Sequence, residues 1–390
     1  MDASLFIASR LRFKGRIAMI CIAVSFLVMI VAVAISSGFR NELRSSLSAL
    51  SGDVLISSPD LNVMSESSPL DASSQTVSYV AQSALVSDII PVVWRAGIVR
   101  HGDEMHGIVV KGVPFFEETV DTVVNLGVSI PRRLAQASGL KPGDRMLTYF
   151  VGETLKVRQF NVVDIYDASV STDDRYVVYA SMADMQRLNG WDEDQVSAIE
   201  VHLVPGHDDE AAIMDATREL GSLVMLYQEK DELVATSSVS RYPQLFGWLS
   251  LIDFNVGIIL LLMTVVAGFN MISGLLIMLF ENISTIGVLK SLGMTDRSIS
   301  KVFLASSSVL VGKGMAIGNV LAVIVCIIQK TTHILKLNPE NYYVSFVPVD
   351  IDPGVILLAD AVSFVAIMLL LLIPCLFISK VDPARTVRVR

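Results

Sequence analysis

Residues able to do chemistry are few in this 390-residue chain, and they form no catalytic pattern. The five histidines show no His-Glu-x-x-His spacing, and His101 and His106 fall beside a turn typical of a surface. Gly312-Lys313-Gly314 lacks the upstream glycine of a phosphate-binding loop, which needs backbone amides at fixed offsets. We therefore predict a non-catalytic chain with no metal site and no cofactor of its own.

The most informative segment is residues 281–303, which lies between two long apolar runs. Its apolar residues recur every three positions, as on one face of a helix. They are Ile283, Ile286, Leu289 and Leu292. Gly293 predicts the end of this helix, and Thr295 or Asp296 predicts the cap of the next one.

Two interpretations fit a short amphipathic helix between apolar runs. It can dock its apolar face in the groove of a partner protein, or it can lie at the membrane surface with that face in lipid. The residues alone leave both open.

Composition indicates a membrane protein, because the chain is 52% hydrophobic with a mean hydropathy of +0.58, yet 18% charged. The apolar residues concentrate in four runs long enough to span a bilayer of ~30 Å. They lie at about residues 17–35, 254–280, 302–328 and 354–378. Between the first two runs, about 200 residues have ordinary globular composition, enough for a domain with its own core.

Basic residues near the span ends predict the orientation. The N-terminal segment, the 281–301 loop and the tail hold 11 Lys and Arg against four acids. Both termini and that loop are therefore predicted to be cytoplasmic, with the large domain outside.

The overall net charge is −9, but residues 40–245 hold 16 Lys and Arg against 30 Asp and Glu, which argues against nucleic acid as a partner.

The large domain has mixed periodicity. Strands are predicted at 53–57, 145–151, 155–164, 176–180, 197–203 and 224–227, and helices at 128–138, 183–190 and 208–220, among other segments. The pattern predicts an α+β fold. The three cysteines all fall in the apolar runs, so no disulfide framework holds this domain.

The second apolar run is too long for a bilayer alone. Residues 242–280 carry one charge, Asp253, and a helix of that length extends over roughly 50 Å, which predicts a span continued by an outward stalk. In the third run, Gly314 and Gly318 have the spacing of a close helix contact. Lys313 and Asp360 are predicted either to pair inside the membrane or to reach polar cavities separately.

The string Glu281-x4-Ile286-Gly287-Val288-Leu289-Lys290-x-Leu292-Gly293-Met294 resembles the cytoplasmic loop of FtsX-like ABC-transporter permeases of the MacB, LolC and LolE type. In that family the loop is a coupling helix that docks on a separate ATPase. The resemblance implies that ATP and Mg are bound by the partner subunit. It assigns the coupling role to a set of eight residues. They are Glu281, Ile286, Gly287, Leu289, Lys290, Leu292, Gly293 and Met294.

Other segments agree in order and place with this family. Residues 37–43 resemble the exit of the first span, residues 128–212 resemble the MacB-like periplasmic core domain, and residues 342–350 resemble the outer loop of the LolC and LolE branch. The ending at 382–388 is similar to the family's Asp-Pro-x-x-Ala-Leu-Arg, with Thr-Val replacing Ala-Leu.

The resemblance implies a multi-pass inner-membrane permease with four transmembrane α-helices and an extracytoplasmic α+β domain between helices 1 and 2. The predicted divisions are 1–16 amphipathic segment, 17–50 helix 1 with an outward extension, 51–241 external domain, 242–280 stalk and helix 2, 281–301 coupling loop, 302–330 helix 3, 331–353 outer loop, 354–379 helix 4 and 380–390 tail.

The implied function is the extraction of lipoproteins from the inner membrane for transfer to a periplasmic carrier, with a second permease copy or a paralogue as partner. The implied acyl-chain path lies between helices 1 and 2 of the paired subunits. It is predicted to be lined by Met29, Val33, Phe254, Ile258 and Leu262. Two alternatives are an FtsX-like signalling permease that controls cell-wall hydrolases and a MacB-like efflux permease.

Overall fold

The computed structural model describes residues 16–64, 69–101, 104–116, 125–152, 154–167, 176–206, 209–227, 232–338, 342 and 344–375. The chain divides into two compact units. The helical unit comprises Met1–Asn41, Leu249–Lys336 and Phe346–Arg390, and the α/β unit comprises Glu42–Trp248 and Leu337–Ser345. Residues 1–15 of the predicted amphipathic segment and the predicted tail at 380–390 lie outside the described residues.

The helices are α1 Arg16–Ser51, α2 Gln75–Ala81, α3 Arg132–Ser138, α4 Met182–Asn189, α5 Glu210–Tyr227, α6 Ser238–Arg241, α7 Pro243–Glu281, α8 Ile283–Ser291, α9 Asp296–Thr332, α10 Pro353–Leu370 and α11 Leu372–Cys375. The strands are β1 Val54–Ser57, β2 Leu70–Asp71, β3 Val86–His101, β4 Glu104–Val113, β5 Gly127–Pro131, β6 Arg145–Phe150, β7 Lys156–Tyr166, β8 Tyr176–Ser181, β9 Gln195–Val196, β10 Ala198–Leu203 and β11 Val234–Ser237.

Four helical segments in the described residues are long and apolar enough to cross a membrane: α1, α7, α9 and the stretch Pro353–Cys375. They occupy the four apolar runs of the sequence. Long apolar runs form helices here because a helix satisfies its own backbone hydrogen bonds where no water is present. The last segment begins with Pro353 at its first turn, and the Asp352 side chain caps it by accepting from the Gly354 amide at 2.7 Å.

One apolar cluster joins the helices of the helical unit. Its buried residues include Phe26 on α1, Met271 on α7, Phe303 on α9 and Ile367 on α10. A close approach lies between α9 and α1, where Gly314 and Gly318 lie against the α1 backbone. A Cβ atom on Gly318 would be 2.5 Å from the Ala23 carbonyl oxygen, so the predicted close-packing role of these glycines is confirmed.

The α/β unit is built on a nine-stranded sheet with the order β11-β1-β10-β3-β4-β8-β5-β7-β6. An additional antiparallel pairing of β3 with β6 closes six of these strands into a ring, in the order β3-β4-β8-β5-β7-β6. Two of the ring's pairings, β4 with β8 and β5 with β7, are parallel, and the others are antiparallel. Phe150 and Phe160 meet edge to face in its core, with ring centroids 6.1 Å apart.

Two predicted elements of this unit are wrong. Residues 224–227 belong to α5 rather than to a strand, because Val224 continues the buried stripe of Ile213, Ala216 and Leu220 at helical spacing. Residues 128–131 form β5 rather than the start of a helix. Pro131 explains the change, since the residue before a proline is disfavoured in helical conformation, and α3 begins directly after it.

An ion pair is buried in the α/β unit at the end of α1. Lys111 Nζ donates to Glu200 Oε2 at 2.7 Å and to the Leu50 carbonyl oxygen at 2.6 Å. Arg241 donates to the neighbouring Ser51 carbonyl at 3.1 Å. Burial lowers the pKa of Lys111 and raises the pKa of Glu200, and each partner's charge opposes the other's shift. Lys111 and Arg241 thus bind the Leu50 and Ser51 carbonyl groups, which have no partner within α1 because they lie at its C-terminal end.

Replacing Lys111 with Met should destabilise the protein by about 3–5 kcal/mol, because Glu200 would remain buried without its cation. The double variant K111M/E200M should recover most of this loss. The measurement is chemical unfolding of the full-length protein in detergent. K141M removes an exposed lysine and serves as the control, with an expected change within about 0.5 kcal/mol. Equal losses in K111M and the double variant would contradict this account.

Candidate functional site

Helix α8 begins two residues after α7 ends and lies against the apolar cluster of the helical unit. Ile286 is 1% exposed and belongs to that cluster, Gly287 is buried, and Leu289 packs against the cluster from its side. The helix therefore uses the inner part of its apolar face to attach to its own chain.

The end of α8 is a Schellman motif. The Gly293 amide donates to the Lys290 carbonyl at 3.0 Å, and the Met294 amide donates to the Leu289 carbonyl at 3.0 Å. Gly293 has φ of +87°, a left-handed conformation that glycine adopts without the cost a side chain adds. Met294 and Leu289 both pack on the same apolar cluster. This geometry gives a physical reason for the Leu-x-x-x-Gly-Met spacing in the sequence.

The start of α9 completes a tight corner. Thr295 is the cap, as the sequence predicts, and its side chain accepts from the Ser298 amide at 3.3 Å. Lys290 on α8 forms an ion pair with Asp296 in the first turn of α9, at 2.9 Å. The corner between α8 and α9 is thus fixed by the Schellman motif at the end of α8, by the Thr295 cap at the start of α9 and by the Lys290–Asp296 ion pair.

The exposed surface of α8 differs from the surface that the sequence indicates. Of the predicted coupling residues, Ile286, Gly287 and Leu289 face the protein's own cluster, and Met294 packs there too. Glu281 and Gly293 are exposed, and Leu292 is 78% exposed. Val288, which the prediction left out, is 50% exposed. Helical spacing alone does not show which side of α8 packs on the chain's own cluster and which side is exposed. That difference depends on burial, which the sequence does not reveal directly.

Polar side chains join three helices inside the helical unit. Thr264 of α7 donates to Ser363 of α10 at 3.1 Å, and Ser363 donates to the sulfur of Met29 on α1 at 3.3 Å. These contacts hold α1, α7 and α10 together in a region where apolar packing gives little preference between lipid and protein.

The predicted path-lining residues do not share one surface. Met29 and Val33 are buried in the protein's own helices, at 2% and 6% exposed. Phe254, Ile258 and Leu262 form an exposed stripe at four-residue spacing on α7. The structure brings the three α7 residues together and separates them from the two α1 residues.

Of the two alternatives predicted for Lys313 and Asp360, pairing inside the membrane is wrong. Asp360 instead accepts a hydrogen bond from Asn319 at 2.5 Å, and Lys313 is exposed with no ion pair to Asp360. Asn319 lies six residues beyond Lys313 on α9, about 9 Å along the axis and about 120° around it. The helix face that meets α10 therefore presents an amide rather than an ammonium group.

The segment at 348–350 packs on α1. The Asp350 amide donates to the Ala34 carbonyl at 3.0 Å, and Gly38 allows the Pro348 backbone to approach so closely that a Cβ atom would be 2.5 Å from its oxygen.

Across the described stretches of the chain, no three His, Cys, Asp or Glu side chains are grouped as a metal site would require.

Two family models match the chain in sequence order. The MacB-like periplasmic core domain matches residues 17–219, and the FtsX-like permease C-terminal domain matches residues 257–383. Since the first covers more than half of the chain, the chain belongs to the family of membrane permeases that carry a MacB-like periplasmic core domain. The predicted resemblance is confirmed.

Individual relatives are similar over nearly their whole length. The lipoprotein-releasing system transmembrane protein LolC of Xylella fastidiosa is 22% identical over 94% of this chain and 92% of the relative. LolC of Neisseria meningitidis is 22% identical with the same coverage. The lipoprotein-releasing system transmembrane protein LolE of Haemophilus influenzae is 22% identical over 93% of this chain and 91% of the relative.

Solved structures match parts of the chain at low similarity. The periplasmic region of MacB from Actinobacillus actinomycetemcomitans is 13% identical, covers 50% of this chain and 94% of its own, and gives a TM-score of 0.31. The extracellular domain of the transporter YknZ from Gram-positive bacteria is 10% identical, with 47% and 99% coverage and a TM-score of 0.30. Scores of this size do not establish a shared fold.

The contact between α9 and α1 predicts opposite effects for two matched substitutions. G318A should destabilise the full-length protein by about 1–3 kcal/mol, because its Cβ would overlap the α1 backbone. G257A on α7, where a Cβ would meet nothing within 4 Å, should be neutral or stabilising by up to about 1 kcal/mol. Thermal unfolding in detergent measures both, and equal stability of the two variants would refute the close contact.

Proposed function

We propose that this chain is the permease subunit of an ABC transporter that extracts lipoproteins from the inner membrane for transfer to a periplasmic carrier. The carrying observation is the match to LolC and LolE relatives over more than nine-tenths of the chain, with both domains in the same order. The chain would be non-catalytic and would couple ATP hydrolysis by a separate subunit to movement of the α/β unit.

The proposed orientation places both termini and the α7–α9 corner in the cytoplasm, with the α/β unit in the periplasm. It is supported by the 11 basic residues against four acids in the three segments on one side. The acidic charge of residues 40–245 fits a domain that stays soluble outside the membrane.

The proposed ATPase contact is the exposed side of α8, made by Glu281, Val288, Leu292 and Gly293. The inner side packs on the chain's own apolar cluster through Ile286 and Leu289. A displacement of α8 by the ATPase would therefore be transmitted to α7 and α9. Because the corner is fixed by the Schellman motif and by the Lys290–Asp296 ion pair, the helix would move as one piece with its neighbours. ATP and Mg would be bound by the ATPase.

The exposed stripe of Phe254, Ile258 and Leu262 fits a surface for lipid, for acyl chains of the substrate, or for a second permease copy or paralogue. In the proposed dimer, this stripe would line the substrate path. The buried Met29 and Val33 would instead support α1 from within its own protomer.

Depletion of the protein tests the proposed function. Lipoproteins should accumulate in the inner membrane, and a purified carrier added to spheroplasts should no longer receive them. Normal lipoprotein release, accompanied by loss of cell-wall hydrolase activation, would instead favour the FtsX-like signalling alternative.

Charge placed on the exposed side of α8 should separate coupling from folding. We expect L292D and V288D to lower lipoprotein release about tenfold, equivalent to about 1.4 kcal/mol, because each puts an acid into an apolar contact. L155D, at a similarly exposed leucine of the α/β unit, is the control. Release assays in reconstituted vesicles measure the effect, and full activity of both α8 variants would argue against this docking surface.

The geometry of the Schellman motif predicts a further loss of coupling. G293A should destabilise the end of α8 by about 1–2 kcal/mol, because alanine at φ of +87° is strained. Release should fall while the partner's basal ATP hydrolysis persists. G257A is the matched control, and unchanged release in G293A would contradict a mechanical role for this corner.

A further inference from the structure

A polar contact joins α1 to α7 where their apolar segments end. Asp253, the one charge among residues 242–280, accepts from Ser36 Oγ at 2.6 Å through one carboxylate oxygen. Its other oxygen accepts from Arg40 at 2.5 Å. We name the contact of Ser36, Arg40 and Asp253 the Asp253 clasp.

From Asp253 toward the apolar cluster, α7 has little other attachment to its own chain. Between Leu249 and Ala267, which are buried, every residue of α7 is exposed or only partly buried. The partly buried ones include Leu260, on the apolar cluster, and Thr264, bonded to Ser363. Both lie more than one helical turn from Asp253. Local separation of α7 from α1 beside the clasp therefore leaves the main cluster intact.

Helix α1 is held on its other side. Asn41 donates to Asp350 of the outer loop at 2.6 Å, and the Asp350 amide donates to the Ala34 carbonyl. Gly38 packs directly on the Pro348 backbone. The segment at 348–350 thus holds α1 through one side-chain and two backbone contacts, while only side chains of the clasp hold α7 there. If the two helices separate at the clasp, we expect α7 rather than α1 to move.

The strength of the clasp suits a contact that opens and closes. The Arg40 and Asp253 side chains are 50% and 38% exposed, and ion pairs of this exposure contribute little to stability because water screens them. Such a contact can favour one arrangement of the helices without locking it.

We infer that the Asp253 clasp is a latch that holds α1 and α7 together in the resting permease and opens during each transport cycle. Its opening would separate the two helices at one end of the apolar region and widen the path that we propose for the apolar part of the cargo along the exposed stripe of α7. The nature of the cargo rests on the proposed function, but the opening itself does not.

Distance measurements test the latch without reference to cargo. Spin labels on S37C and L251C leave the three clasp residues in place. In the complex with its ATPase, the label distance should lengthen when a nucleotide state is trapped. In D253N it should be long or broad already without nucleotide. One unchanged distance distribution under all these conditions would overturn the latch.

Charge exchange tests the pairing. R40D and D253R should each give the long distance at rest, and the double variant R40D/D253R should return to the short one. R218D, which breaks the exposed Arg218–Asp215 pair on α5, is the matched control and should leave the distance unchanged. Absence of rescue in the double variant would contradict a specific Arg40–Asp253 interaction.

Reversible cross-linking connects the latch to transport. S36C/D253C bridged by a short bifunctional methanethiosulfonate should lose at least nine-tenths of the lipoprotein release shown by the same variant before bridging, and should regain it after reduction. Full release by the bridged protein would overturn the latch. If the nucleotide-dependent distance change occurs but the unmodified complex releases no lipoprotein, the proposed function fails and the latch stands.

Discussion

The absence of hydrogen-bond partners in hydrocarbon determines the form of this protein. A backbone that crosses the bilayer must satisfy its own amides and carbonyls, which restricts the spanning segments to helices. The chain passes between its two units within the continuous helices α1 and α7. No loop interrupts either helix at the passage. Each of these helices therefore contains residues of both units, and we propose that displacement passes between the units along them.

The helices are held together by close contacts rather than by a simple hydrophobic effect. Lipid tails are as apolar as leucine, so association inside a membrane depends on packing and on hydrogen bonds. Gly314 and Gly318 bring α9 onto the backbone of α1, and Asn319 bonds Asp360 between α9 and α10. At the other end of α1, Lys111 and Arg241 bind its terminal carbonyls. Helix α1 thus has many such contacts, while α7 has few buried residues between Leu249 and Ala267.

Patterns that repeat along one helix were predictable from the sequence. The four apolar runs, the glycine stop at Gly293, the Thr295 cap and the Gly314 and Gly318 contact all follow from local spacing. Contacts between distant segments were not. Asn319 rather than Lys313 reaches Asp360, and Ile286 faces inward rather than toward a partner, because helix rotation about its axis depends on tertiary packing. The closure of six strands by the pairing of β3 with β6 likewise depends on long-range register.

The central claim is that α7 transmits movement between the helical unit and the α/β unit. Inserting a flexible Gly-Ser segment near Leu249, where the chain passes from one unit to the other, tests it most directly. ATP hydrolysis by the reconstituted complex and lipoprotein transfer to the carrier are measured side by side. The account predicts that hydrolysis continues while transfer is abolished. Transfer at the unmodified rate would contradict it.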